Sequence, residues 1–533
     1  MKTLFSLTAA SVLALSGMAQ AEFSLTVLHT NDMHSRVESI SKYDSGCSAE
    51  DNDEGKCFGS YSRLVTAVEK ARGMSNNTIL VDGGDQFQGS LFYTYYKGKV
   101  AAEMMNKLGY DGMTVGNHEF DDGPETLAGF MATVGFPVLM SNADVSAEPE
   151  LAGKLMPSTV IERGGEKIGL IGLTPVDAGE LSSPGKNVKF ADPAASVARE
   201  VAALEAQGVN KIIVLSHSGY LVDQDVASKV AGIDVIVGGH SHTYLSSSSD
   251  KASGPYPTMV TGPDGSLTAV VQAYAYGKYL GALDVTFDDN GVVTKASGEP
   301  IVMDGEVVED SATKQRIAEL AKPLEEIRNK VVSETVGLIE GDRAVCRVEE
   351  CEMGNLVADA MLGRVADQGI QIAITNSGGL RASIDGGPVT MGEVLTVLPF
   401  QNTLSTFQLK GADVLAALEN GVSQVEEVKG RFPQVAGLKF SWDPSTAPNE
   451  GRIKSVEVME NGAWTALDPD KTYGVVSNNF MRSGGDGYSI FETAGMKAYD
   501  FGPGLEDVLA DYLADNQPYT PYKDGRISKV ATN

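Results

Sequence analysis

The sequence predicts a two-domain α/β protein. Its 533 residues exceed what one hydrophobic core usually organises. In the first half, short apolar runs typical of strands alternate with stretches whose apolar residues recur every three or four positions, as in amphipathic helices. A charged helical stretch without glycine spans 311–332, and we place the domain junction there. A second α/β domain is expected to follow it.

The first domain has a clear pattern of alternating elements. Predicted strands cover residues 25–29, 78–81, 113–115, 138–140, 168–173, 212–215 and 235–237. Predicted helices cover residues 61–72, 100–108 and 195–206. Residues 163–166 indicate a hairpin turn, and 257–303 indicate further strands. This alternation favours a layered α/β domain.

The first 21 residues contain the parts of a secretory signal in order. Lys2 gives a positive start, an apolar run follows, and Ala19-Gln20-Ala21 has the small residues of a cleavage site. We expect residues 1–21 to be removed and the mature protein to be periplasmic or secreted. No other stretch has the length of a membrane span and the tail is polar, so we expect no membrane anchor.

The charge and the cysteines limit the partners and the compartment. Asp and Glu outnumber Lys and Arg by 71 to 42, and such a surface repels nucleic-acid polymers and anionic membranes. Four cysteines allow three pairings, and distance along the sequence favours Cys47 with Cys57 and Cys346 with Cys351. An oxidising compartment favours disulfides over metal binding at these positions.

Five of the six histidines lie in loops directly after predicted strands. The loops read Asn31-Asp32-Met33-His34, Asp82-Gly83-Gly84-Asp85, Gly116-Asn117-His118-Glu119, Ser216-His217-Ser218 and Gly238-Gly239-His240-Ser241-His242. Each motif alone is more often a turn than a ligand pair. Together they indicate a site, because loops at the carboxyl ends of strands converge in α/β folds. Imidazole with carboxylate and amide oxygens suits Zn²⁺, Mn²⁺ or iron.

Two neighbouring residues receive supporting roles. His29 lies within its predicted strand, so we expect it to be a core or support residue. Asp82 is expected to support the ligand loop or its turn.

In this order, the five motifs resemble those of the calcineurin-like metallophosphoesterases and, more narrowly, the secreted 5′-nucleotidases. The resemblance covers nearly the whole mature chain. It implies a layered α-β-β-α metallophosphoesterase domain at 22–310, a helical linker at 311–334 and a nucleotide-binding α/β domain at 335–533.

The resemblance also implies two divalent ions per chain, of zinc, manganese, magnesium or cobalt. Its implied ligands are Asp32, His34 and His242 for one ion, Asn117, His217 and His240 for the other, and Asp85 between them. His242 departs from close 5′-nucleotidase relatives, which often have an amide residue there, so metal preference could differ. Paired ions of this kind activate a water and hold phosphoryl oxygens.

His118 has a separate expected role. It precedes Asp121 by three residues, so the carboxylate can orient the imidazole toward a phosphate. By resemblance, His118 and Asp121 are the catalytic pair that stabilises the transition state or the leaving oxygen. The alternative for Asp121 is an ordinary turn acid before Gly123.

The second domain contains no histidine, so its expected contribution is substrate binding. The resemblance assigns the loop containing Asn376 and Gly379 to the nucleotide. It implies phosphate contacts for Arg347 and Arg381, base stacking for Phe400 and Phe480, and a ribose contact for Asp486. The alternative for each phenylalanine is a place in the core.

These expectations describe a 5′-nucleotidase that hydrolyses nucleotide phosphate esters. The alternatives are a phosphoesterase of the same fold, acting on 2′,3′-cyclic nucleotides or nucleotide sugars, or a nucleotide-binding protein without turnover. Because the expected site is split between two domains, we also expect them to move during catalysis, with a joint near residues 331–335. The oligomeric state, base preference and phosphate-chain preference stay open.

Overall fold

The computed structural model describes residues 22–530 except 43, 45, 46, 401, 461, 500 and 501. The predicted signal at 1–21 lies outside the described residues. All seven strands and three helices predicted for the first domain are present, with small shifts at their ends.

The first domain is a sandwich of two sheets. The first sheet runs in the order Val293–Gly298, Tyr279–Phe287, Phe23–Thr30, Thr78–Asp82, Gly112–Thr114 and Val138–Leu139, with Ile301–Val302 paired to Tyr279–Phe287. The second runs in the order Thr258–Thr261, Leu267–Val271, Val235–Val237, Ile212–Ser216, Glu166–Leu173 and Ser158–Arg163. Two short pairs, Ser39–Ile40 with Phe58–Gly59 and Ala143–Asp144 with Lys189–Phe190, lie outside them.

Helices cover the outer face of each sheet. Apolar side chains of the two inner faces, such as Val27 and Leu215, share one fully buried cluster. Outside the first sheet lie Tyr61–Arg72, Leu91–Tyr96, Lys99–Leu108 and Gly123–Met131, and outside the second lie Pro193–Glu205 and Tyr220–Lys229. Ala49–Asp53, Ala178–Leu181 and the 3₁₀ turn His118–Phe120 complete the helical elements. The α-β-β-α order expected from the sequence is confirmed.

Capping residues determine where these helices begin. Asp192 accepts the backbone N–H of Ala195 at 2.8 Å, and Pro193 occupies the first turn, where its missing N–H costs nothing. Ser60 similarly accepts the N–H of Ser62 at 3.2 Å.

The second domain is built on a five-stranded sheet with helices on both faces. Its strand order is Pro433–Ala436, Ile372–Asn376, Thr472–Asn478, Leu404–Lys410 and Met496–Tyr499. Next to it stands a four-stranded sheet of Ala463–Ala466, Ile453–Glu460, Leu438–Trp442 and Ile527–Lys529. Its helices are Arg343–Cys346, Glu352–Arg364, Met391–Val397, Gly411–Gly421, Asn479–Arg482, Ser489–Ala494 and Leu505–Asp515. Its 3₁₀ turns are Ala366–Gln368, Ser377–Gly379, Val425–Glu427 and Gly485–Gly487.

The linker differs from its expected form. Helix Ser311–Arg328 ends before 334, and Val331–Thr335 is a strand paired with Gly387–Thr390 in the second domain. Helical structure to 334 is therefore wrong, because the β-branched residues at 331, 332 and 335 favour a strand once Asn329 caps the helix. Residues 331–335 are hydrogen-bonded to Gly387–Thr390, so the hinge expected between the domains does not fit there. The short connection at 329–330 is a better position for such a hinge.

The linker helix belongs structurally to the first domain. Its Ile317, Leu320 and Leu324 join the buried cluster of the helices that cover the first sheet. Both favoured disulfides, Cys47–Cys57 and Cys346–Cys351, are present.

Replacement of Leu324 by Ala should test this attachment. Leu324 is fully buried, so Leu324→Ala should lower the free energy of unfolding of the first domain by about 2–5 kcal/mol, the usual range for a leucine cavity. Ile327 on the same helix is 46% exposed, and Ile327→Ala should change it by less than about 0.5 kcal/mol. Denaturant unfolding of both variants measures the difference, and equal effects would contradict the packing.

Candidate active site

The seven predicted metal ligands lie together at the carboxyl ends of strands from both sheets. Asp32, Asp85 and Asn117 follow strands of the first sheet, and His217, His240 and His242 follow strands of the second. His34 completes the group beside Asp32. All are buried except His240, which is partly buried.

Five of these seven residues have a strained backbone conformation. Asp32, His34, Asp85, His240 and His242 all have positive φ values, between 48° and 68°. Residues other than glycine seldom adopt this conformation, and it concentrates where side chains must point into a site. Gly84 shows why glycine stands beside the ligands: a Cβ there would lie 2.9 Å from His217 Nδ1.

The first ligand set is compact. His242 Nε2 lies 3.1 Å from Asp32 Oδ1 and 3.1 Å from His34 Nε2. His34 Nε2 lies 3.9 Å from Asp32 Oδ1. Such separations are those of neighbouring ligands on one ion with bonds of about 2.0–2.2 Å.

Asp85 lies between the two sets. Its Oδ2 is 2.8 Å from His217 Nε2 and 3.9 Å from His34 Nε2. In the second set, Asn117 Oδ1 is 3.0 Å from His240 Nδ1. Groups Asp32–His34–His242 and Asp85–His217–His240 could each hold an ion, and both fit the sets predicted from the sequence.

Backbone carbonyls fix the tautomers of two predicted ligands, His217 and His34. His217 Nδ1 donates to the carbonyl of Gly83 at 2.6 Å, and His34 Nδ1 donates to that of Phe87 at 3.2 Å. Each ring can therefore present an unprotonated Nε2 to the site, the form that binds a metal ion. The donor set and its tautomers fit two divalent ions.

The electrostatics favour cations at this point. Burial lowers the pKa of His34 and of His242 well below the ordinary value, helped by nearby arginines, so both rings are neutral. Burial also disfavours the charged form of His217, but the carboxylates of Asp85 and Asp32 outweigh it and raise the pKa of His217 to about 10. The carboxylate pair thus attracts positive charge strongly.

His118 and Asp121 form the expected pair. His118 Nδ1 donates to Asp121 Oδ2 at 2.6 Å, and its Nε2 lies 3.9 Å from Asp85 Oδ2. Burial opposes protonation of the ring, but the carboxylates of Asp121 and Asp85 outweigh burial and raise the pKa of His118.

His29 and Asp82, the two residues with expected supporting roles, lie beneath or beside the ligand loops. His29 is buried, and its Nε2 lies 2.8 Å from the hydroxyl of Tyr256, within the core. Asp82 accepts the hydroxyl of Thr30 at 2.5 Å and the N–H of Gly84 at 2.9 Å, so it braces the ligand loop.

Sequence reasoning missed the role of Glu119. Its carboxylate accepts the backbone N–H groups of Asp85, Gln86, Phe87 and Gly116, and so ties two ligand loops together. Its place directly after Asn117-His118 was the available signal.

One cavity of about 730 Å³ joins both domains. From the first domain it is lined by His34, Asp85, Asn117, His118, Asp121, His240 and His242. Every substrate residue predicted in the second domain also lines it: Arg347, Asn376, Gly379, Arg381, Phe400, Phe480 and Asp486.

Contacts cross this cavity. Arg381 Nη2 lies 3.1 Å from His34 Nε2, and the Phe400 ring lies 5.5 Å from that of His118 with an interplanar angle of 21°. Asn376 Nδ2 donates to Asp486 Oδ2 at 2.6 Å and fixes that carboxylate. The second domain thus presents its cations and rings directly to the ligand sets.

Three cations in the cavity wall were not predicted: Arg343, Lys429 and Arg431. Arg343 is one turn before Arg347, and Lys429 Nζ lies 3.3 Å from His240 Nε2 and 3.5 Å from Asp177 Oδ2. Arg343 could have been found from its four-residue spacing to Arg347, whereas nothing near Lys429 in the sequence marks it.

Comparisons with known proteins agree with this architecture. Residues 25–244 match the family model of the calcineurin-like phosphoesterases, and residues 330–493 match that of the 5′-nucleotidase C-terminal domain. The chain is 36% identical to snake venom 5′-nucleotidase of Naja atra over 95% of this chain and 98% of that one. It is 37% identical to 5′-nucleotidase of Bos taurus over 97% and 93%.

Solved structures show the same arrangement. The 5′-nucleotidase precursor of Thermus thermophilus is 41% identical, with a TM-score of 0.91 over 96% of this chain and 100% of that one. The NAD nucleotidase of Haemophilus influenzae is 27% identical, with a TM-score of 0.57 over 96% and 100%.

Fold and site together define a calcineurin-like phosphoesterase, a hydrolase of phosphoric esters. With its second domain, the chain belongs to the 5′-nucleotidase family. None of the described helices is both long and apolar enough to cross a bilayer.

Asp85→Asn should weaken the binding of both ions, because the carboxylate lies between the two ligand sets. His242→Ala should weaken only one of them. Elemental analysis after dialysis against a graded chelator measures both, and two tightly held ions in Asp85→Asn would contradict the bridging position.

Proposed function

We propose that this chain is an exported 5′-nucleotidase that hydrolyses nucleotide phosphate esters with two divalent ions. The observation that carries the proposal is the cavity shared by both domains, in which predicted metal ligands of one domain face arginines and phenylalanines of the other. This arrangement suits a substrate with a phosphate at one end and a flat base at the other.

The metal ions, when bound, would supply positive charge to the phosphoryl oxygens and a nucleophilic water near neutral pH. Asp32, His34 and His242 would hold one ion, Asn117, His217 and His240 the other, with Asp85 shared. The protein's own contribution is to fix these ligands through the carbonyls of Gly83 and Phe87 and the carboxylate of Glu119.

His118 holds and directs a proton. Asp121 accepts the Nδ1 proton, which leaves Nε2 on the side of Asp85 and the cavity. A protonated Nε2 there can donate to a phosphoryl or leaving oxygen as negative charge develops.

The second domain orients the nucleotide. Arg347 and Arg381 can make paired hydrogen bonds to phosphate oxygens. Phe400 and Phe480 offer faces for the base, and the Asp486 carboxylate, fixed by Asn376, can accept ribose hydroxyls.

Export is part of the proposal. The signal pattern at 1–21 supports it, and so do the two disulfides, which persist in oxidising compartments. The similarity to a snake venom 5′-nucleotidase over 98% of that chain points the same way.

Phosphate release from a panel of nucleotides tests the activity. Phe400→Ala and Phe480→Ala should each reduce use of nucleoside 5′-monophosphates by about 1–3 kcal/mol, the value of one base–aromatic stack. p-Nitrophenyl phosphate has no base, so its hydrolysis should hardly change. No release from metal-loaded wild type would reject the function, and equal losses on both substrates would place the rings in the core.

The proton-donating role of His118 predicts that its replacement lowers turnover without lowering metal binding. His118→Ala should keep both ions and lose about 10²–10⁴-fold in kcat, the usual scale for a positioned acid–base group. Stoichiometric loss of metal would instead make His118 a ligand. Elemental analysis with steady-state kinetics distinguishes these results.

A cross-link tests whether the domains move. Asp177 and Lys429 face each other across the boundary between the domains, so Asp177→Cys with Lys429→Cys can be joined by a short bis-maleimide. Joining should stop turnover, since a closed cleft admits no substrate. The reagent-treated single-cysteine variants serve as controls. Unchanged turnover in the joined protein would rule out the motion as a requirement.

A further inference from the structure

Within the described part of the chain, His242 lacks the hydrogen bond to a backbone carbonyl that orients His34 and His217. Its Nδ1 is buried without a hydrogen-bond partner among the described residues. Ligand histidines almost always donate this second N–H to a carbonyl, carboxylate or water, and His34 and His217 do so here. Something else must hold the His242 ring in place.

Tyr276 packs against that ring. The two rings lie 5.2 Å apart at 87°, the edge-to-face geometry that aromatic pairs prefer. The same tyrosine also contacts His34, with ring centres 5.7 Å apart. The two histidine rings within each set also contact each other, His34 with His242 at 5.1 Å and His217 with His240 at 5.2 Å.

Tyr276 is itself held firmly. Its backbone N–H donates to the carbonyl of Asp32 at 2.8 Å, and its φ is 62°. The guanidinium of Arg36 lies over the tyrosine ring, 5.2 Å from its centre. Tyr276 is buried and is not part of the cavity lining, so it acts through the histidines.

We propose that Tyr276 is the positioning residue for the first ion, because its ring takes the place of the hydrogen bond that His242 lacks. This inference rests on the proposed function, since it assumes that His242 is a ligand. The aromatic ring carries the role, and the hydroxyl is not needed for it.

The test measures the affinity for each ion by graded chelation and elemental analysis. Tyr276→Leu should lower the affinity for the ion held by His242 by about 10–100-fold, the usual effect of losing the support of a ligand. The affinity for the second ion should not change. Tyr276→Phe should bind both as wild type does. Tyr279→Leu is the matched control, since the described contacts of its ring are with Tyr244 and Tyr274.

A double-mutant cycle separates this role from a general structural one. His242→Ala identifies the affected ion. Adding Tyr276→Leu to His242→Ala should cost little further affinity, because the ligand that Tyr276 supports is already absent. If Tyr276→Leu does not fold, Tyr276→Met takes its place.

Wild-type affinity in the Leu or Met variant, or equal weakening of both ions, would overturn the inference. Wild-type protein that binds no metal would instead reject the metal site of the proposed function. The two failures are therefore distinguishable.

Discussion

Two buried carboxylates, Asp32 and Asp85, are the feature on which the site depends. A buried charge without a partner costs several kcal/mol. The protein gives these groups backbone N–H donors, from His240 to Asp32 and from His118 to Asp85, and surrounds them with imidazoles. Burial raises the pKa of Asp32, whereas His217, His118 and His34 outweigh burial at Asp85 and hold its pKa well below the ordinary value. Divalent cations bound at the predicted ligands would add positive charge beside both buried carboxylates.

The sandwich makes that concentration of charge possible. Strands of both sheets end at the same edge, and their loops approach until His217 of one sheet donates to Gly83 of the other. The second domain then adds cations on the opposite wall: Arg381 reaches His34, and Lys429 reaches His240. An anionic group placed between these walls would lie beside the cations Arg381 and Lys429.

Much of this could be predicted because the signals are local. The loops around Asp32, Asp85 and His217 follow apolar runs directly, so strand ends and ligands are read from the same few residues. The two disulfides follow from short spacing. Lys429 was missed because its role depends on which distant loop it faces, whereas Arg343 and Glu119 had local signals in their positions relative to Arg347 and Asn117. The end of the linker was misplaced, since pairing with Gly387–Thr390 selects a strand where charge patterning suggested more helix.

The predicted ligand histidines differ in how they are held, and this bears on position 242, where the resemblance to 5′-nucleotidases implies that an amide residue is frequent. His217 and His34 are fixed by backbone carbonyls, which side-chain substitution cannot remove. His242 is held by the packing of Tyr276, which fixes a flat side chain without requiring a particular hydrogen-bond acceptor. A ligand held only by packing can be exchanged for another flat group of similar size without rebuilding a hydrogen-bond network. The proposed support of His242 by Tyr276 is therefore compatible with either a histidine or an amide side chain at this position.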